Sequence, residues 1–137
     1  MGKSKKEKII VSANRFEVGF QLLNKWLMLH QQDKTLEKYF VDNNLSEVAI
    51  YGMGALGERL FQDLRNIGIE IKYCIDRAAD NKKGLDVTVY STAEVSYPKV
   101  DAIIVTPIQD YWSIVKVLEA KTDVPVLSLE DVVEYCL

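Results

Sequence analysis

A three-layer α/β fold built on a parallel sheet is predicted by three observations on this 137-residue sequence. Short apolar runs alternate with stretches of helical periodicity, the pattern of parallel strands joined by helical crossovers. The run Val48-Ala49-Ile50-Tyr51 enters the glycine turn Gly52-Met53-Gly54-Ala55-Leu56-Gly57 directly. A later apolar run, Ile69 to Ile75, ends on Asp76, so strand, glycine turn, helix and acid-ended strand follow in series.

From the N-terminus, Asn14 to Gln31 carries Phe16, Phe20, Leu23 and Leu27 on one helical row and Val18, Leu22, Trp26 and Leu29 on the adjoining row. That predicts a helix with an unusually wide apolar face. Asp33 or Thr35 caps a shorter helix through Leu36, Tyr39 and Phe40 that ends near Asn43-Asn44. The first strand covers residues 47–51, and a helix from Leu56 to Asn66 is stopped by Gly68. Ile69 to Ile75 is the second strand, Asp80 to Gly84 a polar turn, and Val87 to Tyr90 a short third strand. Ser91 or Thr92 starts a brief helical turn, and Asp101 to Thr106 is a fourth strand apolar enough to be buried on both faces. Asp110 caps a helix through Trp112, Val115 and Leu118, Val124 to Leu127 is the fifth strand, and Leu129 to Tyr135 is a closing helix. Right-handed crossovers give the spatial order 3-2-1-4-5. Residues 1–45 are thus expected as an N-terminal helical arm and 46–137 as the sheet unit, with a boundary near Asn43 to Ser46.

Where that order reverses, a crevice opens at the carboxyl ends of the strands, and the glycine turn beside it marks a Rossmann-like nucleotide-binding unit. Gly52 permits the tight bend, Gly54 lets a pyrophosphate approach bare backbone, and Gly57 lets the next helix pack close. That helix aims free N–H groups and its positive dipole end at the phosphate. Asp76 would accept hydrogen bonds from ribose hydroxyls and repel a 2′-phosphate, which favours NAD over NADP. The candidate cofactor-binding residues are Gly52, Met53, Gly54, Ala55, Leu56, Gly57, Asp76, Arg77 and Thr106. Arg77 either stacks on or pairs with the ligand or is a solvated loop cation. Thr106-Pro107 either lines the sugar side or simply ends its strand. Tyr111 and Trp112 read as helix packing, the alternative being a base-stacking platform.

Catalytic residues are not assigned. None of the seven tyrosines stands in a Tyr-x-x-x-Lys pair, and the glycine turn lacks the Lys-Ser/Thr of a P-loop. His30, the sole histidine, falls near the end of the first helix. A net charge of −3 gives no basic field for nucleic acid. The one basic cluster, Lys3, Lys5, Lys6 and Lys8, is diluted by Glu7 and reads as a frayed terminus. Cys74 and Cys136 form neither a metal knuckle nor a disulfide framework, so no metal site is expected. With no bilayer-length apolar stretch and no signal-peptide core, a soluble cytoplasmic protein is expected, with no membrane insertion.

Over Glu47 to Leu137 the chain resembles small Rossmann modules of bacterial surface-polysaccharide biosynthesis: the nucleotide-binding part of CapD-like sugar-nucleotide enzymes and the amino-terminal domain of PglD-like acetyltransferases. The residues that match are Gly52 to Gly57, Ile75-Asp76 with Arg77 to Asn81, Gly84 before Val87, and Val100 to Thr106. Leu36-Glu37-Lys38-Tyr39-Phe40 followed by Val48 to Gly52 is also similar to modules attached to bacterial glycosyltransferases. The resemblance implies NAD or a UDP-sugar as ligand and a glycosyltransferase or sugar-modifying enzyme as partner. No β-helix repeat or downstream catalytic domain accompanies the match, so it implies a ligand and not a reaction.

The expected function is therefore a nucleotide-binding module, accessory or sensory in sugar-nucleotide metabolism. A minimal oligomeric oxidoreductase or sugar-nucleotide-modifying enzyme and a non-binding scaffold are the alternatives. The wide face of the first helix predicts a homodimer through the arm, the alternative being that this face covers the chain's own sheet.

Overall fold

The computed structural model describes residues 4–81 and 84–137. Lys3 of the basic cluster and residues 82–83 of the expected turn lie outside the described residues. The element order is α1 (Lys5–Gln31), α2 (Glu37–Asp42), β1 (Glu47–Tyr51), α3 (Ala55–Asn66), β2 (Glu70–Ile75), β3 (Thr88–Tyr90), β4 (Ala102–Val105), α4 (Tyr111–Glu119), β5 (Val126–Ser128) and α5 (Leu129–Cys136). All five strands run parallel in the order β3-β2-β1-β4-β5, as expected.

Each face of the sheet has its own core. Val48 and Ile50 of β1, with Ala102 and Ile104 of β4, meet Leu60 and Leu64 of α3 and Val132 and Val133 of α5. Leu22, Trp26 and Leu29 of α1 and Phe40 of α2 belong to that same cluster, so residues on both sides of the expected boundary share one core. On the opposite face Ala49, Ile103 and Val105 pack with Leu118 of α4. There the connection from β3 to β4 holds a turn where a helical one was expected, with Ser91 Oγ accepting from the Ala93 N–H at 3.1 Å. Tyr97 covers the sheet in place of a crossover helix, stacking on Tyr73 at 6.1 Å between centroids while Tyr73 donates to the Pro98 carbonyl at 2.8 Å.

Strand β2 breaks simple alternation. Val48 pairs with Ile71 but Ala49 pairs with Tyr73, so Lys72 is an extra residue bulged out to solvent. Ile71 and Cys74 consequently face one core, and Tyr73 and Ile75 the other.

Three further corrections have local causes. Helix α1 begins nine residues earlier than Asn14, because Ser4 and Glu7 form a reciprocal capping box with both bonds at 3.2 Å. Asp33 does not cap α2; it takes φ of 58° at the end of α1, while Thr35 Oγ1 accepts from the Glu37 N–H. Asp110 precedes α4 without a side-chain cap, its carboxylate being held by Arg15. Among the described residues no helix is long and apolar enough to cross a membrane.

Burial pushes the Cys74 thiol up to about 12, and burial also raises Cys136. A folded-state value above the ordinary 9.0 means that the protonated thiol of Cys74 contributes stability fully below pH 9.0. That contribution is lost as pH rises toward about 12. Iodoacetamide at about pH 8 is therefore expected to label neither cysteine in the native protein and both in guanidinium, read by mass spectrometry. Native labelling at the rate of a free thiol would contradict the burial.

Candidate functional site

The site is built where β1 ends. Gly52 turns the chain with φ of 92°, and its N–H donates to the Ile75 carbonyl at 2.8 Å. A Cβ at Gly52 would stand 2.7 Å from Thr106 Oγ1, so both the backbone conformation and the space require glycine. A Cβ at Gly57 would lie 1.9 Å from the Gly52 carbonyl oxygen, which fixes how closely α3 meets the turn. At Gly54 a Cβ would meet nothing within 4 Å. Gly54 also precedes α3 without any side-chain cap, so the N-cap residue offers no acceptor to the first N–H groups of that helix.

Asp76 and Thr106 hold this turn from either side. Asp76 Oδ2 accepts from the Met53 N–H and Oδ1 from the Ala78 N–H, both at 2.7 Å. Thr106 is 2% exposed, and its hydroxyl donates toward the carbonyls of Gly52 at 2.8 Å and Tyr51 at 3.0 Å. The Thr106 proton is thus directed at the loop backbone; the residue borders the cleft and shapes it.

Around this turn lies a cleft of about 690 Å³, lined by Gly52, Met53, Gly54, Ala55, Leu56, Gly57, Asp76 and Thr106. Eight of the nine residues singled out in the sequence therefore converge on one cleft at the carboxyl ends of the strands. The ninth, Arg77, lines an adjoining lobe of about 510 Å³ with Tyr51, Thr92 and Ser113. Burial raises the Tyr51 hydroxyl above its ordinary value. Among the described residues Arg77 makes no ion pair, and no group of His, Cys, Asp and Glu side chains is arranged to hold a metal.

The second wall is the one sequence reasoning missed. Arg15, Phe16, Phe20 and Leu23 of α1 face the glycine turn across the cleft. Arg15 borders both lobes and is fixed there by a two-pronged pair with Asp110 at 2.8 and 3.1 Å. Farther along α1, the Trp26 Nε1–H and His30 Nε2 both meet Asp63 Oδ2 of α3 at 2.7 Å, and Lys25 reaches Glu134 of α5 at 2.6 Å. These links hold α1 across α3 and α5. His30 stands in that bracket, away from the cleft, at the helix end where the sequence puts it.

A family model described as C2185-like, N-terminal matches residues 44–125. The matched segment includes the glycine turn, Asp76 and Thr106, and lies wholly C-terminal to the α1 wall. No curated protein and no solved structure matches the chain.

Proposed function

The chain belongs to the C2185-like, N-terminal family, and from the cleft to which the matched segment contributes the glycine turn we propose that it binds a nucleotide, NAD or a UDP-sugar. The observation that carries the reading is Gly54: its missing side chain leaves an open path to the uncapped N-terminus of α3 inside a cleft of about 690 Å³. Backbone N–H groups and a helix dipole converging on an unfilled space suit a diphosphate. A volume of this size lies within the ordinary range of ligand sites. Asp76 keeps acceptor capacity beyond its two backbone donors, since a carboxylate offers about four lone-pair positions. One is available to a ribose hydroxyl at the rim.

The polar lobe offers hydroxyls and the Arg77 guanidinium, which supports recognition of a second polar moiety. Binding is accordingly the activity we propose, in the accessory or sensory role implied by the resemblance to surface-polysaccharide modules. A cytoplasmic setting belongs to the same reading, supported by two buried cysteines carried as free thiols.

Calorimetry of the intact protein against NAD, NADH and UDP-sugars should give saturable binding at one site for one of these classes. No heat and no thermal shift with any of them would overturn the reading. Asp76→Ala should weaken the bound nucleotide by roughly 1.5–3 kcal/mol, about 10- to 100-fold. It should also destabilise the free protein by about 1–3 kcal/mol by leaving the partly buried Met53 N–H without its acceptor. Denaturant titration without ligand separates the two effects. Reduced stability with unchanged affinity would make the carboxylate a loop anchor only.

A further inference from the structure

Along α1 the residues Ile9, Ala13, Phe16, Phe20, Leu23 and Leu27 recur at alternating spacings of four and three. That is the apolar seam of a coiled coil. It is not the face α1 uses within the chain, where Leu22, Trp26 and Leu29 are buried. On the seam Phe16 is 79% exposed, Phe20 69%, Ile9 61% and Leu27 57%. With about 150–200 Å² for each large side chain, this stripe leaves on the order of 500 Å² of apolar surface open. A standard interface takes roughly 800 Å² from each partner, so a self-complementary pairing of this stripe with its flanks reaches the size a stable dimer needs. In α1 before Phe16, residues 5–10 and 13–15 are exposed and Val11 is half-buried. A helical segment so short and so solvated is marginal without a partner.

We propose that α1 packs antiparallel against α1 of a second copy of this chain, about a twofold axis at the level of Val18, and that the pairing roofs the ligand cleft. In this register Phe16 meets the partner's Phe20, Ile9 the partner's Leu27, and Ala13, the smallest seam residue, the partner's Leu23. The lysine-rich start of each helix then lies over the opposite end of the other, where Asp33 and Asp63 stand, and the two helix dipoles run head to tail. A groove of about 250 Å³ between α1 and α3, bordered by Leu23, Leu27 and Arg59, lies where the Ile9 end arrives. Phe16, Phe20 and Leu23 are themselves the outer wall of the ligand cleft, so a helix laid on them closes its apolar side. The roof rests on the nucleotide reading; the pairing does not.

Light scattering and calorimetry with NAD on the intact protein test both parts, with the double variant Ile9→Glu/Leu27→Glu as comparison. Both positions are exposed and neither lines the cleft, so the variant should keep the wild-type circular dichroism. The wild type should be a dimer at about 10 μM, and the four carboxylates that the variant brings into the seam, two from each chain, should raise its dissociation constant by at least ~100-fold. NAD should then bind the monomeric variant about 10-fold more weakly. A monomeric wild type, or a dimer that survives the variant, overturns the pairing. So does a monomer that instead partitions onto phosphatidylglycerol vesicles, which would assign the seam to a membrane surface. A dimer whose monomeric variant holds NAD equally well overturns the roof alone. Absence of NAD binding by both proteins overturns the nucleotide reading for NAD, and the oligomeric state still decides the pairing. Oxidation should cross-link Ala13→Cys/Leu23→Cys between chains but not Ala13→Cys alone; cross-linking of Ala13→Cys alone would mean a parallel pair, and no cross-link in the double variant would likewise overturn the register.

Discussion

Replacing Gly57 by alanine is expected to destabilise the protein by about 3 kcal/mol, which lowers the melting temperature by about 10 °C in a chain of this size, and to abolish nucleotide binding. The added Cβ would sit 1.9 Å from the Gly52 carbonyl oxygen and 2.8 Å from its carbon, and neither backbone atom can rotate aside as a side chain could. The carbonyl is also fixed from behind, because the Thr106 hydroxyl donates to it at 2.8 Å. Relief requires α3 to retreat from the turn, and that retreat displaces the N–H groups proposed to receive the diphosphate. Gly54→Ala is the informative partner. Its Cβ enters open space at φ of −78°, so stability should stay within about 0.5 kcal/mol of wild type while the ligand is blocked. Thermal denaturation and calorimetry on both variants separate packing from binding; equal affinity for NAD in Gly54→Ala and wild type would move the diphosphate elsewhere.

Trp26→Ala should cost about 3–5 kcal/mol. The indole is 4% exposed within the core shared by α1, α3 and the sheet, and its Nε1–H donates to Asp63. Truncation leaves a cavity and removes the bond that brackets α1 to α3. Because Trp26 and Phe40 lie in one cluster with Val48 and Ile104, urea unfolding followed by far-ultraviolet circular dichroism should remain a single transition displaced as a whole. An early partial transition accounting for the α1 helicity alone would mean instead that the helix detaches from an otherwise stable sheet.

The strands and their order were legible because the signals are local and redundant. Val48 to Ile50 and Ala102 to Val105 are buried on both faces and read as uninterrupted apolar runs. The glycines were legible for a related reason, since a bend at positive φ and a close helix approach leave few other residue choices at Gly52 and Gly57. What Asp76 and Thr106 bond to was not legible. Their types suit a crevice, but the Met53 N–H and the Gly52 carbonyl that engage them are set by three-dimensional closure. The α1 wall was invisible for the same reason: Arg15 and Asp110 are 95 residues apart, and no periodicity announces such a pair. The early start of α1 did have a signal. Ser4 and Glu7 stand at capping-box spacing, and the apolar period of the helix reaches back to Ile9; only the lysine-rich turn before Ile9 carries none.

Lys72 shows how a single surface residue sets the aim of a side chain four positions along the chain. Side chains along a strand alternate like the teeth of two combs, and one surplus residue slides every later tooth across to the opposite comb. Because the surplus comes before Tyr73, the last residue of the strand and the aspartate after it are inverted relative to an unbroken ribbon. The aim of the carboxylate at the glycine loop is thus decided four positions upstream. Excising that lysine would turn Asp76 away from the crevice without altering any residue within it.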